Sequence, residues 1–171
     1  MANTFTKIAT VTVGSGGTTG ISFTSIPSTY NDLCVVLSVR DSNTAGGNFQ
    51  GSPLEINGSS TSQPDKYLYG TGSGTGSGTD SGQWFWMNTD SSTTNTFASV
   101  SLYFPNYGGS TYKSISIDGA TEQNGTSALA GFKAKLWQST SAINSLTFKS
   151  YSGSSVIMQY STATLYGIKN A

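Results

Sequence analysis

The sequence predicts an all-β protein, a β-sandwich or jelly roll of about nine or ten antiparallel strands, on three observations. Apolar and polar residues alternate in short runs, Gly, Pro and Asn clusters punctuate those runs, and helix-favouring stretches are almost absent. Serine, threonine and glycine number 29, 24 and 21 of the 171 residues. These types compete with helical hydrogen bonds or raise the entropic cost of a helix. Threonine and the 12% of aromatic residues instead suit a pleated surface.

The elements follow in order. Ala9, Val11 and Val13 alternate with threonines, and Ile21 and Phe23 alternate with Ser22 and Thr24. A short helical turn is expected near 28–31. Leu33, Val35, Leu37 and Val39 lie in a continuous apolar run, which reads as a central strand buried on both sides, with Cys34 a small buried residue. Leu54 and Ile56 flank Glu55. Ala98, Val100, Leu102 and Phe104 give the clearest half-buried alternation, and Ile115 and Ile117 continue it before a turn expected at Asp118-Gly119. Phe132, Ala134 and Leu136 face oppositely to Lys133, Lys135 and Trp137. Leu146 and Phe148 follow, and a last strand is expected over 156–168. The repeat of Gly, Thr and Ser at 70–82 reads as a flexible surface loop. The whole chain, 1–171, reads as one domain.

Composition removes most chemistry. There is no histidine, one cysteine, and only 8 basic and 8 acidic residues. Histidine is the commonest general base and metal ligand, so its absence excludes the common triads and disfavours zinc and copper. One cysteine forms no internal disulfide. The basic residues are dispersed and the net charge is zero, which argues against nucleic acid. No apolar stretch is long enough to span a membrane as a helix, and the first residues lack the apolar core of a signal peptide. No cofactor and no metal are expected. Asp41-Ser42-Asn43 and the pair Asp118 and Glu122 are weak calcium candidates that turn chemistry explains. Glu55 and Glu122 read as solvated residues and not as a glycosidase pair. Asn57-Gly58-Ser59 and Asn124-Gly125-Thr126 match a glycosylation sequon but read as turns.

One cluster stands out. Gln83-Trp84-Phe85-Trp86-Met87 holds two of the three tryptophans and follows the glycine-rich tract. It reads either as a strand with both faces covered or as an exposed aromatic anchor for a protein or glycan. On the second reading the contact residues are Trp84, Phe85 and Trp86, joined by Tyr67 and Tyr69.

Several segments resemble a family of virion structural proteins common in tailed bacteriophages and cyanophages. They are Ile-Ser-Phe-Thr-Ser-Ile-Pro-Ser-Thr-Tyr-Asn-Asp-Leu at 21–33, Phe-Pro-Asn-Tyr at 104–107, Leu-Trp-Gln-Ser-Thr-Ser-Ala-Ile at 136–143, and Gln-Tyr-Ser-Thr-Ala-Thr-Leu-Tyr-Gly-Ile-Lys at 159–169. The family often carries Asn-Gly-Asp after its fourth strand, where this chain has Asn57-Gly58-Ser59. The resemblance implies a particle component and no enzyme. The protein would decorate or cement the capsid, binding the major capsid protein or other virion proteins as a trimer or other small homo-oligomer. The alternative is a tail-fibre or receptor-binding module that recognises host glycans.

Overall fold

The computed structural model describes residues 4–45, 47–60, 64–79, 82–125 and 127–169. Among them no helix occurs, and thirteen strands do. In chain order they are β1 (Phe5–Thr12), β2 (Gly20–Phe23), β3 (Asp32–Val39), β4 (Phe49–Ser52), β5 (Leu54–Ile56), β6 (Asp65–Gly70) and β7 (Thr75–Gly78). They continue with β8 (Phe85–Asn88), β9 (Ala98–Phe104), β10 (Lys113–Ala120), β11 (Ala130–Trp137), β12 (Leu146–Lys149) and β13 (Thr162–Ile168). The largest sheet has eight strands in the order β1-β13-β3-β9-β10-β11-β6-β7. Two small sheets, β2-β12-β5 and β4-β8, accompany it, and all the named strands pair antiparallel. The all-β prediction is therefore met, with the expected strands subdivided further.

The core lies between the large sheet and the two small ones. Leu33, Val35, Leu37 and Val39 of β3 and Val100, Leu102 and Phe104 of β9 join Ile21, Phe23, Leu54, Leu146 and Phe148 of the three-stranded sheet in one buried cluster. Phe85 of β8 meets Phe148 edge-on at 5.6 Å between centroids, which ties both small sheets into that cluster.

Several local expectations change. β3 is buried on one face only: Val36 is 45% exposed and Cys34 half-buried, because the outer face of the large sheet has no second layer over it. Burial, partly offset by a hydrogen bond from Ser101, still raises the Cys34 thiol above its usual range. The expected turn at Asp118-Gly119 is strand, since β10 runs on to Ala120 with Gly119 paired to both Val100 and Gly131. No helical turn forms at 28–31, and the last strand starts only at Thr162. The turn at Asn57-Gly58 is as read: both residues have positive φ (52° and 75°), and Ile56 and Ser59 exchange two backbone hydrogen bonds across it. Thr126 of the second sequon lies outside the described residues.

The glycine-rich tract is the largest departure. Thr75–Gly78 is not loop but β7, an edge strand paired with β6. Its alternate glycines have a steric cause. A Cβ on Gly76 would stand 2.6 Å from the Tyr69 ring, and one on Gly78 would stand 2.8 Å from the Tyr67 hydroxyl. The two tyrosine rings lie over bare backbone, 6.0 Å apart, so the repeat that resembles a linker is a strand with room left for aromatics. Gly76→Ala is expected to lower stability by about 1–3 kcal/mol through overpacking, read as a lower urea midpoint with an unchanged slope.

Candidate functional site

The three tryptophans do one structural job. On the inner face of β10 and β11, Lys113, Lys133 and Lys135 are buried, each beneath an indole. Lys113 Nζ stands 5.1 Å from the Trp137 ring, Lys133 Nζ 4.6 Å from Trp86, and Lys135 Nζ 4.9 Å from Trp84. Tyr67 adds a second ring 5.3 Å from Lys133. A buried ammonium is costly unless paired or hydrogen-bonded, and each lysine has such a partner. Lys135 meets Asp65 at 3.1 Å with both side chains fully enclosed. Lys133 donates to the Gln83 carbonyl, and Lys113 donates to those of Gly109, Ser139 and Ser141. Burial lowers the Lys113 pKa.

The pairings follow from register. Lys135 stands opposite Asp65 and Lys133 opposite Tyr67 between β11 and β6, while Lys113 stands opposite Trp137 between β10 and β11. Gly131 makes the same layer possible, since a Cβ there would lie 2.7 Å from the Trp86 ring.

The exposed-anchor reading of the tryptophan cluster is therefore corrected. Trp84, Phe85, Trp86 and Met87 are all buried (7% exposed at most), because Phe85 and Met87 pack into the core while Trp86 of β8 and Trp84 just before it turn their indoles onto lysines. Tyr67 and Tyr69 are half-buried over β7. Of the five residues read as a contact patch, Trp84, Trp86 and Tyr67 gather over Lys133 and Lys135, whereas Phe85 packs into the core against Phe148 and Tyr69 lies over Gly76. The signal in the sequence was the alternation of Lys133, Lys135 and Trp137 on one face, with the tryptophans to cover it.

What faces outward is the far side of the eight-stranded sheet. Cross-strand pairing sets Thr164, Val36, Ser101, Asp118, Phe132 and Leu68 in one row over six strands. A neighbouring row holds Tyr166, Cys34, Tyr103, Ser116, Ala134 and Lys66. Leu68 is 62% and Phe132 46% exposed. They flank a groove of about 620 Å³ floored by Gly70, Gly76 and Gly131. Composition alone did not place this face, because nothing in the alternation says which side is left uncovered.

On that face the Tyr103 hydroxyl donates to the Asp32 carboxylate at 2.7 Å, and this bond raises the Tyr103 pKa above its ordinary value near 10. The neutral phenol is thus favoured in the folded state. Its contribution is complete below pH 10 and is lost as pH climbs through the raised folded value. Tyr103→Phe is expected to remove one late-titrating tyrosine from the 295 nm absorbance titration. It should also make the loss of stability above pH 10 shallower.

The carboxylates weighed for chemistry have structural partners. Glu55 pairs with Lys149 at 3.3 Å, and Glu122 accepts the backbone N–H groups of Gln123 and Asn124. Asp41 is buried and accepts from the backbone of Asn43 and Tyr151, which accounts for its place in a turn. Among the described residues no three or more His, Cys, Asp or Glu side chains stand together as a metal site, and no helix is long and apolar enough to cross a membrane. Compared with protein-family models, curated proteins and solved structures, the chain matches none of them.

Proposed function

We propose that this chain is a non-enzymatic virion structural protein that decorates the head of a tailed phage, seated on the major capsid protein or another virion protein through the outer face of its eight-stranded sheet. The observation that carries the reading is that face. Seven strand spacings and strands mostly of seven or eight residues make it roughly 34 Å by 25 Å, close to the roughly 800 Å² that each partner buries in a stable complex. It carries Ser, Thr and Ala with exposed Val36, Tyr103, Phe132 and Leu68, and few charges. Such a surface suits continuous contact with a partner more than solvation alone. The zero net charge favours association, including a trimer or other small homo-oligomer.

Mass spectrometry of tail-less heads and of purified tails from the same phage tests the location. Heads should contain the protein, and its confinement to tails would transfer the reading to a tail-fibre or receptor-binding module. Re-addition of the purified protein to heads stripped of it tests the face. Leu68→Asp and Phe132→Asp together should abolish rebinding while leaving the melting temperature near that of the parent, since both side chains are exposed. Unimpaired rebinding by the double variant would exclude this face as the contact.

A further inference from the structure

Beyond the ends of the adjacent strands β13, β3 and β9, the turn before β13 and the loop before β9 form a pocket of about 180 Å³, bordered by Arg40, Asp90, Asn95, Phe97, Gln159 and Tyr160. We infer that this pocket is a binding site for one ring of a neutral saccharide, with Tyr160 as its stacking platform and Asp90, Asn95 and Gln159 as its hydroxyl-binding groups.

Three observations converge there. Tyr160 is the most exposed large apolar or aromatic side chain described (69%), yet its backbone is left-handed (φ +71°), a conformation unfavourable for a bulky residue. Strain of this kind persists where the surroundings enforce it, and a glycine would relieve it. A tyrosine held at this cost, with its ring in solvent, contributes little to packing.

The pocket wall is also held rigid. Arg40 is buried, and its guanidinium donates to the backbone carbonyls of Asp90, Ser92, Thr93 and Thr96. It also pairs with the Asp90 carboxylate at 3.5 Å, whose side chain is half exposed at the mouth. One buried side chain therefore fixes the whole 90–96 loop, the preorganisation that a binding site needs.

The chemistry selects the ligand class. An anion is disfavoured, because the Arg40 donors already serve carbonyls and the neighbouring charge is a carboxylate. A purely apolar ligand would leave Asn95 and Gln159 without partners on burial and would strip water from the Asp90 carboxylate. What fits is a neutral molecule with many hydroxyls and one apolar face. The volume holds roughly six waters at 30 Å³ each, the size of a single sugar ring. The site is independent of the sheet face, so it stands whether or not that face meets a capsid.

The test uses saturation-transfer NMR on the full chain with methyl glycosides of glucose, galactose, mannose and N-acetylglucosamine as probes. At least one should receive transfer at its ring C–H protons. Tyr160→Ala and Asp90→Asn should each weaken binding about tenfold or more. Tyr160→Gly should abolish transfer while raising the melting temperature by about 2–4 °C, since it removes the left-handed strain. No transfer from any of the four glycosides would overturn the inference. So would transfer unchanged in Tyr160→Ala and Asp90→Asn, or a Tyr160→Gly variant that melts earlier than the parent.

Discussion

Asp65→Ala is expected to destabilise the protein by about 3–5 kcal/mol, because it strands the Lys135 ammonium in a dry layer. The pair is fully enclosed at 3.1 Å with an indole over the cation, so no water replaces the lost carboxylate. Joint replacement by apolar residues of similar size, Asp65→Leu with Lys135→Met, should recover most of that loss, since desolvating two charges offsets much of their attraction. Urea denaturation of Asp65→Leu, Lys135→Met and their double variant, combined as a thermodynamic cycle, gives the coupling. A loss below about 1 kcal/mol for Asp65→Ala would mean that the pair is solvated in solution and the layer open.

Trp86→Ala should cost about 3–5 kcal/mol, the range for removing a large buried aromatic. The indole fills the space over Gly131 and covers the Lys133 ammonium at 4.6 Å, so its removal opens a cavity beside a buried charge. This result separates the two readings of the cluster. An exposed anchor would lose binding and keep its stability, whereas a covering residue loses stability first. Thermal unfolding followed by near-ultraviolet circular dichroism reads both the melting temperature and the packing of the remaining tryptophans.

The two variants bear on one layer, where legibility from sequence was poorest. The β11 alternation was plain, but polarity alone assigns the Phe132 face inward and the lysine face outward. The structure has it reversed: Lys133 and Lys135 are buried and Phe132 is 46% exposed. Three partners far apart in sequence decide the matter, since Asp65, Trp84 and Trp86 arrive from β6 and from β8 and its approach. The glycine-rich tract misled for a similar reason. Bare glycines look like a linker until tyrosines two strand positions apart lie across them. In β9, by contrast, alternation sufficed: Ala98, Val100, Leu102 and Phe104 are all buried and Ser99 and Tyr103 exposed.

The amino-acid sequence by itself determined the fold class and the short supply of titratable side chains. Period-two alternation and turn residues are local properties, and the lack of histidine needs no structure to read. Tertiary structure alone decided which face of the large sheet stays open and where the aromatics go. It also decided that the exposed aromatic worth testing is Tyr160 and not Trp84 or Trp86. Burial depends on which layers meet, and strand periodicity specifies two faces without saying which of them finds a partner.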